Sequence, residues 1–393
     1  MKKYFYPLID NPYRPKDIYQ AIKVLKSSKI TSGPKTLEFQ SKFSKKIKTN
    51  YSLLVNSGSS ANLLAMQCLI NPYRKKRLKK GDEILIPSLC WSTSLWPIIQ
   101  SGLKPKFVDV EKQSLNLDLN DLRKKISKKT KGIMLVHVLG NCTNMNELMK
   151  IVKAYNLILI EDTCESLGTT YKNKYLGTFG EFSSYSFYSS HQISSGEGGM
   201  ICCKNEEDFE IIKSLRAHGW SRGLKNEKKI AKDNKQLDKR FIFYNSGFNL
   251  RSTDIAASIG LSQFNDLDKF IKVRTANRKL IIKIFKKKNI INNSFFIIKE
   301  NKFVKASWFG IPILISKDLK RDKIINNLEK NGVETRPIIS GNFLKQPSIK
   351  KYKLNKNIKM KNAEYINQKG FFIGLPTKPI GKTMVEKLAK IFE

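Results

Sequence analysis

The turn SFYSSHQISSGEGGM, residues 186–200, sets a single imidazole, His191, among serine hydroxyls and ends in glycines. An imidazole moves protons near neutral pH, and a glycine-rich backbone approaches a ligand closely. Two further stretches have chemistry in them. NSGSSANLLA (56–65) places Gly58, Ser59 and Ser60 between an apolar run and a helical pattern. N–H groups at such a helix start cradle phosphate. LILIEDTCESLG (157–168) sets Glu161 and Asp162 at the end of a buried-strand pattern. Ligands of open α/β sheets gather at the carboxyl ends of strands. A carboxylate there pairs with a protonated pyridine nitrogen and makes the ring an electron sink. Taken singly, each stretch has a plainer reading: a capped helix, an acid closing a strand, a hydrogen-bonded core histidine.

The elements that position these residues are legible. Apolar runs at 51–57, 82–88, 104–110, 131–140 and 157–163 read as buried strands, followed by short ones near 182–187 and 199–203. Helical patterns lie between them, at 59–70 and 144–156 for example; basic stretches such as 74–83 also look helical. This alternation predicts an α/β fold with a mostly parallel central sheet sandwiched by helices. One long helix is expected over 252–288, leading from a large α/β domain (1–250) into a smaller C-terminal α+β lobe (251–393). That lobe holds SWFGIPILI, a helix over 318–330, GVETRPI and a terminal helix.

Composition excludes several classes. The formal charge is +40 over 393 residues. The lysines are dispersed over helix-like segments, with no helix-turn-helix, zinc-finger spacing or RNA-binding aromatic motif, so solvated faces are expected rather than nucleic acid. The charge excess favours anionic small substrates. No eighteen-residue apolar run suggests a membrane span, and the N-terminus lacks a signal-peptide core, which reads as cytoplasmic. The six cysteines form no CxxC, so neither a disulfide framework nor a metal site is expected. Neighbours Cys202 and Cys203 should face opposite sides of a strand.

Taken in order, TSGPKTLEFQSKF, VNSGSSANLLA, VDV, VHVLGNCTNM, IEDTCESLG, SFYSSHQISSGEGGM, GFNLRSTDIAASIGLSQF and GVETRP resemble the DegT/StrS nucleotide-sugar aminotransferases over nearly the whole chain. These are fold-type I pyridoxal-phosphate enzymes. The resemblance implies that Gly58, Ser59 and Ser186 hold the cofactor phosphate and that Asp162 meets the pyridine nitrogen. Glu165 joins the cofactor-binding set, and Trp91 stacks on the ring or packs in the core. Asn249 (or Asn245) reaches the phosphate of a neighbouring subunit, which implies a homodimer. His218, Arg222 and Arg336 are candidates for sugar, pyrophosphate or the carboxylate of glutamate.

Ordinary members carry a lysine where His191 stands. Imidazole cannot anchor the cofactor aldehyde covalently, so the amine form stays free, and histidine still serves as a base. A histidine-bearing subset of the family are sugar 3-dehydratases working through pyridoxamine phosphate. One branch of it, acting on a CDP sugar, holds an iron–sulfur cluster on cysteines that follow the segment matching GWSR. Here 219–241 has no cysteine, so no cluster is expected. The other branch acts on GDP-4-keto-6-deoxy-D-mannose, releases ammonia and is re-aminated, with L-glutamate the expected donor; the sequence is more similar to that one. Gln192 departs from it, since a second histidine is expected there. The alternatives are a CDP-sugar dehydratase, an aminotransferase using another lysine (Lys172, Lys174 or Lys204), a non-catalytic binder and a nucleic-acid binder.

Overall fold

The computed structural model describes residues 4–9, 12–292, 294–354 and 358–393. Strands β1 (Tyr51–Val55), β2 (Glu83–Pro87), β3 (Lys104–Val108), β4 (Thr130–Val136) and β5 (Ile158–Asp162) fall on the apolar runs. A small hairpin follows, β6 (Thr170–Tyr171) and β7 (Lys174–Tyr175), then β8 (Phe182–Ser186) and β9 (Gly199–Cys203). The main sheet runs β1-β9-β8-β5-β4-β2-β3. Only β9 is reversed, antiparallel to both β1 and β8. Its inner strands β2, β4 and β5 bury both faces, which is why they read as continuous apolar runs instead of alternating ones.

Toward the C-terminus come β10 (Phe295–Ile297), β11 (Val304–Lys305), β12 (Ile311–Ile315), β13 (Thr335–Arg336) and β14 (Gly370–Ile373). Four of these form an antiparallel sheet, β10-β12-β14-β13, while β11 joins the β6–β7 hairpin. The apolar cores of the two larger sheets are continuous: Ile86 and Met134 belong to the same buried cluster as Ile313 and Phe371.

Two expectations need correction. The expected long helix is two helices, Asp254–Phe264 and Leu267–Lys287. Asp266 starts the second; its carbonyl accepts the Phe270 N–H, and its carboxylate takes the Arg14 and Lys16 side chains from the N-terminal segment. The break falls at Asn265 and Asp266, with no proline or glycine to mark it in the sequence. Residues 74–83 are not helical before β2 begins. Arg74 turns inward instead, its Nε donating to Asp208 at 2.7 Å and its Nη2 to Glu181 at 2.7 Å. Cys202 and Cys203 do pack in separate apolar clusters on opposite faces of β9. Among the described residues no helix is long and apolar enough to cross a membrane, and no group of three His, Cys, Asp or Glu could hold a metal.

Candidate active site

A cavity of about 550 Å³ opens at the carboxyl ends of β5 and β8, where the main sheet meets strands β13 and β14 of the four-stranded sheet. It is lined by Gly58, Ser59, Trp91, Asp162, Glu165, Ser186, His191 and Arg336, together with Asn62, Phe309 and Phe372 among others. Eight of the eleven residues singled out from sequence therefore share one wall system. Not one lining residue is a lysine.

Local chemistry explains each position. The helix Gly58–Leu69 starts at the cavity because Ser57 caps it, its Oγ accepting the Ser60 N–H at 3.1 Å. The first-turn N–H groups lack helical partners and carry the positive end of the helix dipole. A Cβ on Gly58 would lie 2.6 Å from Cys164 Sγ and 2.9 Å from Ser186 Cβ, so only glycine lets these elements close together. Ser59 Oγ is tied to Thr93 Oγ1 at 2.7 Å.

Strand alternation at the end of β5 separates two carboxylates. Asp162 faces the cavity. Its Oδ2 accepts Asn62 Nδ2 at 2.8 Å and Ser94 Oγ at 2.7 Å, while Oδ1 accepts the Cys164 N–H at 3.2 Å. Glu161 is fully buried and binds His137 Nε2 at 3.0 Å and the N–H groups of Gly177, Phe179 and Gly180. Burial alone would raise its pKa; His137 and those N–H groups outweigh it and hold the carboxylate charged. Glu165 behaves oppositely. Burial first, helped by the charge of Asp162, pushes it up to about 7 against the one N–H it accepts, from Leu139.

His191 sits half-buried with its ring edge-on to Phe309 at 5.2 Å and to Tyr188 at 6.2 Å. Nδ1 is buried without a hydrogen-bond partner, which leaves Nε2 as the nitrogen open to the cavity. Burial, then the charges of Arg274 and Arg336, pull its pKa down to about 3, so the ring is a neutral base at physiological pH. Trp91 is 57% exposed at the rim, which removes the core-packing alternative.

Asn249, His218 and Arg222 do not line this cavity. They gather on the segment 217–251, whose ends pair at Ala217 and Asn249. His218 Nε2 accepts from Arg251 Nη2 at 3.1 Å, and Arg251 Nε donates to Asn249 at 3.2 Å. The Trp220 ring has the Arg222 and Arg251 guanidiniums 4.9 and 5.4 Å from its centroid. Asn245 is held by Asn71 at 3.2 Å. The alternative lysines lie elsewhere: Lys174 and Lys204 border a separate cleft, and Lys172 stacks over Phe303.

Sequence reasoning passed over Asn62, Ser94, Arg274 and Phe309. Asn62 was findable, one helical turn after Gly58 and so on the same helix face. Arg274 and Phe309 come from distant segments and carry no local signal. The cavity fits a pyridine cofactor bearing a phosphate: a carboxylate with one lightly used oxygen at its floor, and a glycine-closed helix N-terminus at its side.

A family model described as the DegT/DnrJ/EryC1/StrS aminotransferase family matches residues 13–387. The GDP-4-keto-6-deoxy-D-mannose 3-dehydratase of Escherichia coli O55:H7 is 37% identical over 377 residues, 94% of this chain and 95% of its own length. A solved structure of a GDP-4-keto-6-deoxymannose 3-dehydratase variant with bound GDP-perosamine superposes with a TM-score of 0.91 at 35% identity, covering 99% of this chain and 100% of the other. Another, with a trapped PLP–glutamate geminal diamine, gives 0.90 at 34% identity, covering 99% and 100%.

Proposed function

The chain belongs to the DegT/DnrJ/EryC1/StrS aminotransferase family, and on that premise we propose that it is a pyridoxamine-phosphate-dependent 3-dehydratase of a nucleotide-linked 4-keto-6-deoxyhexose. The substrate is GDP-4-keto-6-deoxy-D-mannose, with L-glutamate as amino donor. Its likeness to a dehydratase of that sugar supports the choice, as do the GDP-perosamine and PLP–glutamate complexes of similar enzymes. One observation carries the reaction type: the cavity presents an imidazole and no lysine.

The bound cofactor would supply an amine for the 4-keto carbon and a ring that holds the electron pair left when a proton is lost and gives it up as the C3 hydroxyl leaves. The chain's residues do the rest. Gly58, Ser59 and Ser186 hold the phosphate at the helix start. Asp162, oriented by Asn62 and Ser94, keeps a proton on the ring nitrogen through Oδ1. Glu165, largely protonated below pH 7, donates a hydrogen bond into the cavity, and Trp91 covers the ring at the rim. His191 accepts a proton on Nε2 from the cofactor's amine-bearing carbon and returns it to the departing hydroxyl. Without a lysine, nothing recaptures the cofactor covalently, so elimination replaces amino transfer. Arg336 meets an anionic group of substrate or glutamate.

The cluster of Asn249, His218 and Arg222 serves a neighbouring subunit in a homodimer, completing that subunit's phosphate and pyrophosphate contacts. Borohydride reduction of the pyridoxal-phosphate-loaded enzyme followed by peptide mapping tests the scheme. No labelled lysine peptide is expected. A label on Lys172, Lys174 or Lys204 would favour an aminotransferase.

A further inference from the structure

Gln192 follows the catalytic candidate in sequence but is 2% exposed and faces away from the cavity opening. Its Nε2 donates two hydrogen bonds, to the Glu165 carbonyl at 2.5 Å and to the Ser307 carbonyl at 3.1 Å. Both neighbours are acceptors, so the nitrogen must point at them; with the amide turned over, the carboxamide oxygen would meet two carbonyls. The Oε1 atom is left buried without a partner. A side chain filling space would not leave a buried acceptor unpaired.

Each carbonyl belongs to a different wall of the cavity. Glu165 lies in the loop after β5 and lines the cavity itself. Ser307 lies two residues before Phe309, whose ring meets the His191 imidazole. The Ser307 N–H is fixed in turn by Thr169 Oγ1 at 2.9 Å, which donates to the Gly140 carbonyl at 2.9 Å. Gly140 has φ +94° and a Cβ there would lie 2.4 Å from the Ser307 oxygen, so this segment is already held tightly on its other side. Gln192 is thus the polar link joining the His191 turn, the Glu165 loop and the Phe309 segment. Among the described residues the His191 Nδ1 finds no partner within hydrogen-bond geometry, and Arg274 reaches the residue at its carbonyl, at 3.5 Å, rather than at the ring.

We propose that Gln192 is a positioning residue: its amide clasps the Glu165 and Ser307 carbonyls and thereby fixes the His191 imidazole against Phe309 at the angle needed for proton transfer. The inference deepens the dehydratase reading and rests on it for its kinetic consequence. Gln192 touches neither substrate nor cofactor, so its loss should act on kcat and leave KM in place. A displacement of about 1 Å in a reacting group costs up to roughly 100-fold in rate.

The test compares Gln192→Met, which keeps the side-chain volume but removes both N–H donors, with Gln192→Ala. Both variants are expected to bind pyridoxal phosphate with wild-type affinity and to lose about 10- to 100-fold in kcat with KM within about threefold. The chain has three histidines, so ¹⁵N-histidine labelling resolves His191 in the cofactor-loaded protein without reference to turnover. Its imidazole resonances should broaden or split in both variants as the ring samples several orientations. Wild-type kcat and sharp His191 resonances in Gln192→Met would overturn the proposal, as would a rise in KM or loss of cofactor affinity matching the fall in kcat. If wild-type protein shows no dehydration at all, the functional reading fails while the resonances still decide the clasp.

Discussion

Replacing Glu165 by glutamine should make the protein more stable at alkaline pH and leave it nearly unchanged in acid. Glu165 lies half-buried at the cavity wall beside Asp162 and accepts one hydrogen bond, from the Leu139 N–H. Its pKa rises from an ordinary 4.5 to about 7, through burial first and the neighbouring charge second. A folded-state pKa raised above the unfolded one gives stability that is complete below the unfolded value and is lost as pH rises through the folded value. The window is therefore about pH 4.5 to 7. At 1.36 kcal/mol per pH unit the full displacement amounts to about 3 kcal/mol, and partial exposure reduces the expectation to about 2 kcal/mol. Glutamine is isosteric, keeps an acceptor for the Leu139 N–H and carries no charge, so it escapes the loss. Urea unfolding of the cofactor-free protein at pH 5 and pH 8 measures the effect. The stability of Glu165→Gln relative to wild type should increase by about 2 kcal/mol between the two. An equal difference at both pH values would show that the Glu165 carboxyl ionises normally and would remove the reason for drawing it as a protonated donor.

Three further outcomes are expected. Asp162→Asn keeps a polar group near Asn62 and Ser94 but carries no charge to hold a proton on a ring nitrogen, so kcat should fall by about 100-fold or more in steady-state assays. Gly58→Ala drives a methyl group to 2.6 Å from Cys164 Sγ; overpacking should cost about 1–3 kcal/mol in urea unfolding and weaken pyridoxal phosphate at least about tenfold in absorbance titration. Arg74→Met strands the buried Asp208 carboxylate, 1% exposed, and should cost about 3–5 kcal/mol in the same unfolding experiment.

The legible parts of the fold were those written in local pattern. Strands β2, β4 and β5 were legible because burial on both faces demands unbroken apolar runs, and the turn at Gly58, Ser59 and Ser60 marked a helix start because capping is a near-neighbour interaction. The reversed direction of β9 was not legible, since Met200 and Ile201 read alike in either orientation. Nor was the break at Asp266, whose partners Arg14 and Lys16 lie some 250 residues away in sequence. The same holds for the site. Asp162, His191 and the Gly58 turn were visible through residue type and spacing, whereas Phe309 and Arg274 act on His191 across the fold. Gln192 drew notice only as a departure from a resemblance; its two carbonyl partners belong to segments that only the folded chain brings together.

The central claim is that an imidazole in place of a lysine turns this scaffold from amino transfer to elimination. The direct measurement is incubation of the protein with pyridoxal phosphate, L-glutamate and GDP-4-keto-6-deoxy-D-mannose, read by mass spectrometry with an ammonia assay. The expected result is a nucleotide sugar lacking one oxygen, with ammonia and 2-oxoglutarate released together. An amino sugar formed without free ammonia would contradict it.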